Sequence, residues 1–154
     1  MNALVLNTNE GRVVSLGTIR MIVKEDGTRT RGTLAIAEFE IAPHVPTPPP
    51  HIHRAHEECF YILEGELEFL VDTEKIHAGT GAYVTVPIGV PHTFANTGNA
   101  PARFLNTFTP PKYLNYFYEL SALLSTSGIP TPVQMGELMA RYDTEVVGMV
   151  SGKK

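Results

Sequence analysis

Three histidines and two glutamates crowd into one short stretch near the middle of the chain, namely His51, His53, His56, Glu57 and Glu58. If the stretch is extended, His51 and His53 project to the same side, because alternate residues of a strand share a face. Glu58 opens the next strand candidate, where its carboxylate can turn toward the two imidazoles. Two nitrogen donors and one oxygen donor suit a divalent first-row transition metal, whereas calcium and magnesium prefer oxygen ligands.

A third nitrogen donor is available further along the chain. The strand candidate 83–86 runs into the turn sequence Pro87-Ile88-Gly89, and His92 starts the returning strand. In an antiparallel barrel, such a return could bring His92 back against the first cluster.

Short strands separated by glycine and proline turns have to position these residues. Eight segments have strand character: 18–24, 33–41, 60–63, 66–71, 75–77, 83–86, 92–95 and 102–108. This pattern is typical of a β-sandwich or a closed antiparallel barrel. After residue 110 the apolar residues change to helical spacing, over 113–124 and 133–142, with Thr131 as a candidate N-cap and Pro132 in the first turn.

The sequence therefore predicts one β-domain with a helical appendage. We expect an N-terminal arm at 1–15, a barrel at 16–109 and a helical tail at 110–154 that packs on the barrel. The proline-rich segment 43–50 should be extended and stiff, which lowers the entropy lost when His51 is fixed.

Composition excludes several classes of function. Hydrophobic residues make up 43% of the 154 residues, without a run long enough to span a bilayer. The net charge of −4 gives little reason to expect a nucleic-acid partner. The single cysteine, Cys59, rules out an internal disulfide and a cysteine-based zinc ribbon. The first residues lack the features of a signal peptide, so we expect a cytoplasmic protein without a membrane partner.

The sequence resembles the cupins, small β-barrel proteins, in two motifs that it matches without a gap. The fixed positions of the first motif are a His-x-His pair, a Glu and a Gly, here His51, His53, Glu58 and Gly65. Those of the second motif are here Gly81, Pro87, Gly89, His92 and Asn96. Nine positions in the correct order and spacing are far more specific than a lone short motif.

The resemblance implies an all-β fold, a double-stranded β-helix (jelly-roll) barrel. It implies that one divalent transition metal is held by His51, His53, Glu58 and His92. Iron, nickel, manganese, cobalt and copper all accept such a ligand set. Cupins of this size usually form dimers, so we expect a homodimer, with the apolar segment 4–6 available for strand exchange.

Among cupins, the stretch 48–69 is most similar to the single-domain quercetin 2,3-dioxygenase-like proteins. That similarity implies a flavonol or related enolisable aromatic substrate, dioxygen as the second substrate, and Glu58 as the catalytic base. Two alternatives use the same site: a cupin that binds a small molecule through the metal without chemistry, and an oxygen-independent isomerase or decarboxylase.

Strand parity suggests residues of a substrate pocket. Phe60 and Ile62 share the face of Glu58, and Phe94 shares that of His92, so all three should face the barrel interior. They either line an apolar pocket or fill the core. An apolar, partly aromatic pocket would suit a flat and poorly charged organic molecule.

Other candidate residues have two interpretations each. His56 is either a polar neighbour of the metal ligands or a surface histidine, and Glu57 is the alternative carboxylate ligand. His44 and His77 should be solvated. The first helix carries four aromatic residues that either pack on the barrel or line a ligand channel, namely Tyr113, Tyr116, Phe117 and Tyr118.

Overall fold

Two facing antiparallel sheets form the body of the protein in a computed structural model that describes residues 2–45 and 48–147. The strands of the first sheet, in spatial order, are β1 (Arg12–Leu16), β2 (Ile19–Glu25), β3 (Ala35–Ile41), β10 (Ala102–Thr109), β5 (Glu57–Glu64) and β8 (Tyr83–Val86). Those of the second sheet are β11 (Thr144–Val146), β4 (His51–His53), β9 (His92–Ala95), β6 (Glu66–Val71) and β7 (Glu74–Gly79).

Alternation of side chains places the core between the sheets. Every second residue of β10 is buried, and β5 shows the same alternation. Aromatic rings fill much of the interior: the ring centroids of Phe60 and Phe69 lie 5.0 Å apart, and those of Phe39 and Phe104 lie 5.3 Å apart. The edge-to-face contact of Phe60 with Phe69 joins the two sheets, whereas Phe39 and Phe104 stack between neighbouring strands of the first sheet.

The helical part follows β10. A 3₁₀ turn at Pro111–Tyr113 leads into α1 (Leu114–Ser127), and α2 (Pro132–Ala140) follows after a short connection. Thr131 caps α2 as predicted, because its hydroxyl accepts from the Gln134 N–H while the Gln134 side chain accepts from the Thr131 N–H. Phe117 of α1 packs against Phe39 and Phe108, which attaches the helix to the first sheet.

The predicted all-β fold with a helical part is confirmed, but the sheets extend beyond the predicted barrel 16–109. Strand β1 begins at Arg12, and β11 lies in the segment that the sequence suggested to be helical. Strand β11 has only three residues, so it carries no usable alternation and is stabilised by its pairing with β4.

Some of the sequence predictions fall outside the described residues. These are Met1 of the predicted arm, Pro46 and Thr47 of the proline-rich segment, and 148–154 of the tail. Within the described ranges, no helix combines the length and the apolar character needed to cross a bilayer.

Candidate metal centre

Strands β4, β5 and β9 bring the four predicted metal ligands together. His51 and His53 are the two inward-facing residues of β4, and His51 lies opposite His92 of β9 in the strand register. Glu58 reaches them from β5 in the facing sheet. One donor atom from each of the four side chains lies within 4.8 Å of all the others, and all four residues are buried.

Two glycines hold the strands in this arrangement. The N–H of Gly89 donates to the carbonyl oxygen of His53 over 2.9 Å, which ties the turn before His92 to β4. Gly65 has a positive φ of 74°, and a Cβ there would lie 2.8 Å from the carbonyl oxygen of Pro101. Only glycine fits this close approach without strain.

Hydrogen bonds to the backbone orient two of the imidazoles. The Nδ1 of His51 lies 2.8 Å from the carbonyl oxygen of Pro49, and the Nδ1 of His92 lies 3.0 Å from that of Val90. A carbonyl oxygen only accepts, so each Nδ1 carries the proton and donates it. The Nε2 lone pairs of both histidines are therefore free to coordinate.

The ligand atoms fit a divalent transition metal. Glu58 Oε2 lies 3.3 Å from His92 Nε2 and 3.4 Å from His53 Nε2. The buried Nε2 of His53 has no hydrogen-bond partner among the described residues. Lone pairs that face a buried carboxylate are unfavourable unless a cation lies between them. Three nitrogen donors and one oxygen donor form a suitable set for such a metal.

Burial controls the charge of the ligands. It lowers the pKa of His51 to about 4, with further lowering by the nearby His92 and His53, and it also lowers the pKa of His53. Burial alone would raise the pKa of Glu58. The neighbouring imidazoles of His53, His56 and His92 outweigh burial and hold the Glu58 pKa well below its usual range. A neutral His51 and an ionised Glu58 are the forms that bind metals.

His56 is part of the site, and the surface interpretation of this residue is wrong. It is only 3% exposed, its ring stacks on Tyr113 at a centroid distance of 4.2 Å, and its Nε2 lies 3.9 Å from Glu58 Oε1. The covering residue, Tyr113, comes from the distant helical part, so local sequence could not reveal the burial. Glu57 is exposed and points away from the cluster.

An apolar cavity of about 270 Å³ opens next to the candidate metal ligands His51 and Glu58. Both sheets, the segment before β4 and both helices contribute to its wall. Most of the lining side chains are aliphatic or aromatic, and they include Leu16, Phe39, Phe94, Phe104, Tyr113, Tyr116, Phe117, Leu120, Leu124, Ile129, Met135 and Met139. The structure thus places a largely apolar volume beside the ligands.

Phe94 lines this cavity, but Phe60 and Ile62 do not. Both of these β5 residues are fully buried in the core. The ring of Phe60 is covered by Phe94 and Phe104, at centroid distances of 5.4 and 5.7 Å. The alternation along a strand predicts which face of the sheet a side chain lies on. It does not predict whether that side chain lines the cavity or lies deeper in the core.

The aromatic residues of the first helical segment both pack on the barrel and line the cavity. Tyr113, Tyr116 and Phe117 contribute to the wall, whereas the ring of Tyr118 lies 4.0 Å from the guanidinium of Arg12. Burial raises the pKa of Tyr113 and of Tyr116, so both phenols stay protonated at neutral pH.

Sequence reasoning missed two polar residues at the site. Asn106, on β10, lines the cavity and donates its amide to the carbonyl oxygen of Cys59. Thr144, on β11, places its hydroxyl 2.9 Å from His53 Nδ1. A buried polar residue at an inward-facing position of β10 is a signal that could have identified Asn106. No local pattern marks Thr144.

Comparison with known proteins agrees with the motifs and the geometry. A family model described as a cupin domain matches residues 37–108. The crystal structure of a predicted oxalate decarboxylase from Thermotoga maritima superposes with a TM-score of 0.62, at 22% identity, over 70% of this chain and 99% of that chain. Residues 37–108 of the chain thus match a cupin domain, and the chain has the cupin fold.

Two curated relatives extend the comparison of this cupin. Germin-like protein subfamily 2 member 2 from Arabidopsis thaliana is 32% identical over 109 residues, which cover 68% of this chain and 48% of the relative. Quercetin 2,3-dioxygenase from Bacillus subtilis is 35% identical over 46 residues, which cover 30% of this chain and 14% of that enzyme. The cupin spans about half the length of the first curated relatives that it matches.

Proposed function

We propose that this cupin is a metal-dependent dioxygenase that acts on a flavonol or a similar enolisable aromatic molecule. The observation that carries the proposal is the apolar cavity that opens onto Glu58 and His51. Its volume lies close to the lower end of small-molecule pockets, which are roughly 300–1,000 Å³. Such a space suits a compact planar ligand.

The charge of the cavity wall argues against anionic substrates. Of the described residues that line the cavity, none is a lysine or an arginine, and Glu58 is ionised. A dicarboxylate or a sugar phosphate would have to leave water without a cationic side chain to replace its hydration. An uncharged substrate avoids this cost.

The rings around the cavity favour an aromatic substrate. Phe94, Phe104 and Phe117 offer faces and edges against which a flat ring can stack. The wall also contains a few polar groups that could orient a bound substrate. Asn106 uses its amide N–H to hold Cys59, which leaves its carbonyl oxygen to accept from a substrate hydroxyl.

Glu58 is the proposed catalytic base. His51, His53, Glu58 and His92 would hold the metal, which when bound supplies Lewis acidity and one-electron chemistry. The low pKa of the Glu58 carboxyl keeps it ionised, and this carboxylate is the proposed acceptor for the proton of an enolic hydroxyl in the cavity. Helices α1 and α2 cover the cavity with apolar side chains and exclude water from the proton transfer.

Similarity to the Bacillus subtilis quercetin 2,3-dioxygenase supports the choice of reaction, although it covers a short segment.

We also propose that the protein is a cytoplasmic homodimer. Leu4, Val5 and Leu6 support this arrangement because they form an apolar segment with substantial exposure, 77% in the case of Val5. Light scattering on the purified protein measures the oligomeric state.

Oxygen consumption tests the proposed reaction. Protein loaded separately with iron, nickel, manganese, cobalt or copper is mixed with a flavonol and with a panel of other enols. We expect uptake with at least one metal, and Glu58→Gln should reduce it by roughly 100-fold or more because both the proposed base and one candidate metal ligand are lost. Glu57→Gln is the matched control, since its exposed neighbouring carboxylate should be dispensable.

Other outcomes separate the alternative functions. Ligand binding without oxygen uptake, in protein that holds one metal per chain, would contradict the dioxygenase and favour a small-molecule-binding cupin. Turnover under anaerobic conditions would instead favour an isomerase or a decarboxylase.

A further inference from the structure

The three histidine ligands are oriented by two different kinds of partner. His51 and His92 each use a backbone carbonyl two residues earlier in the chain. His53 uses a side chain, the hydroxyl of Thr144, which is 91 positions away in the sequence and lies 2.9 Å from Nδ1. The orientation of His53 therefore depends on a residue that lies outside both cupin motifs.

Several independent contacts hold Thr144 in position. It lies opposite His53 in the pairing of β11 with β4. Backbone hydrogen bonds of 2.8 Å on either side join Arg54 to Asp143 and Val147 to Pro50. The guanidinium of Arg54 also donates to both carboxylate oxygens of Glu145, over 3.2 and 2.9 Å. Thr144 itself is 1% exposed, so its hydroxyl has little freedom to move.

The hydroxyl of Thr144 has one proton, and its neighbours determine where that proton goes. Thr144 Oγ1 lies 3.2 Å from the carbonyl oxygen of Tyr142, which can only accept. With its proton directed to this carbonyl, the hydroxyl can act as an acceptor toward His53. His53 then carries its proton on Nδ1, and the Nε2 lone pair faces Glu58 and the other histidines.

We propose that Thr144 is a positioning residue of the metal centre, which selects the His53 tautomer that can coordinate and fixes the plane of its ring. Without this acceptor, the proton of His53 moves to Nε2, where the carboxylate of Glu58 accepts it. That tautomer has no lone pair on Nε2, the ring nitrogen that faces the other three side chains. The inference rests on the metal site and is independent of the proposed dioxygenase reaction.

The test measures metal affinity directly, using Co²⁺ and a competing chromophoric chelator with metal-free protein. Thr144→Val keeps the shape of the side chain and removes the acceptor, so we expect the Kd for Co²⁺ to rise about 10- to 100-fold. Thr144→Ser keeps the hydroxyl and should stay close to the unchanged protein. Thr107→Val is the matched control. Thr107 is a half-buried residue of β10, and its side chain lies on the face opposite to that of the buried residues.

A second measurement does not require any variant to fold. Nitrogen NMR of the histidine rings in the metal-free protein reports which ring nitrogen carries the proton. We expect the Nδ1–H tautomer for His53. Equal Co²⁺ affinity of folded Thr144→Val and the unchanged protein, an Nε2–H tautomer for His53, or failure of the unchanged protein to bind Co²⁺ would each overturn the proposal.

Discussion

At the scale of single residues, the two carboxylate oxygens of Glu58 have different neighbours. Oε2 faces His53 and His92, whereas Oε1 lies 3.9 Å from His56 Nε2. One oxygen is thus directed at the metal position and the other at an imidazole that is not among the four ligands. This difference allows a single side chain to be both a ligand and a proposed base.

The depressed pKa of His51 makes the stability of the metal-free protein depend on pH. Between the ordinary value of 6.5 and the folded value of about 4, the unfolded chain binds a proton at this residue and the folded chain does not. Unfolding is therefore favoured as the pH falls through this window, by up to about 3 kcal/mol. Denaturant unfolding of metal-free protein from pH 7 to pH 4 measures the effect.

The same experiment on His51→Gln provides the control, since glutamine does not titrate. The decline in the free energy of unfolding should be shallower in this variant. An identical decline in both proteins would show that other groups cause it. The pKa of Glu58 is also depressed in the folded chain, from an ordinary value of 4.5. Glu58 therefore lowers the free energy of unfolding as the pH falls, but only below about pH 4.5.

Metal binding should stabilise the fold, because the donors converge only in the folded chain. At a free metal concentration 100 times the Kd, the free energy of unfolding rises by about 2.7 kcal/mol. For a domain of this size, the thermal midpoint then rises by roughly 5–10 °C. Calorimetry with and without Ni²⁺ or Co²⁺ measures the shift.

Single-residue variants separate specific binding from general metal effects. His92→Asn should abolish the shift, and His77→Asn should retain it because His77 is an exposed histidine on β7. A comparable shift in His92→Asn would contradict the four-ligand centre.

The convergence of the four candidate ligands could be predicted from the sequence, because each is fixed by its local strand and its spacing to a turn. The burial of His56 could not be predicted, because it depends on Tyr113 from the helical part. The role of Thr144 is hidden for the same reason. Residues whose environment is built by distant segments leave no local pattern.

At the scale of elements, α1 forms one wall of the cavity. Leu120 lines it, whereas Leu123, on the same helix and similarly half-buried, packs on the core without lining it. Leu120→Ala should weaken the binding of an apolar ligand to metal-loaded protein by roughly fivefold, corresponding to about 1 kcal/mol of lost apolar contact. Fluorescence titration with a flavonol measures the Kd.

Leu123→Ala is the matched control and should bind the ligand with nearly unchanged affinity. If the two variants weaken binding equally, the loss reflects the stability of the helix rather than contact with the ligand. If Leu120→Ala has no effect, the ligand does not bind in this cavity.

Elements with strong local signals could be predicted, and β11 could not. Helix α2 has a capping box and a proline in its first turn, which are strong local signals. Strand β11 has three residues and exists because β4 offers unpaired backbone groups to it. Pairing between distant segments, rather than propensity, determines such an element.

At the scale of the whole molecule, the match to a cupin domain and the shape of the cavity depend on different parts of the chain. The motifs lie within 51–96 and contain the four candidate metal ligands. The cavity wall runs from Leu16 to Met139 and depends on how the sheets and helices pack. Sequence could therefore predict which four side chains converge, while the shape and the charge of the cavity required the structure.

The pairing of β11 with β4 also bears on the order of events during synthesis. All four candidate ligands have been synthesised once His92 is added to the chain. Thr144, which provides the acceptor for His53, is synthesised later, after α1 and α2. A nascent or truncated chain therefore displays a complete set of ligands before it can present them correctly. Only chains in which β11 has paired with β4 should then bind the metal tightly.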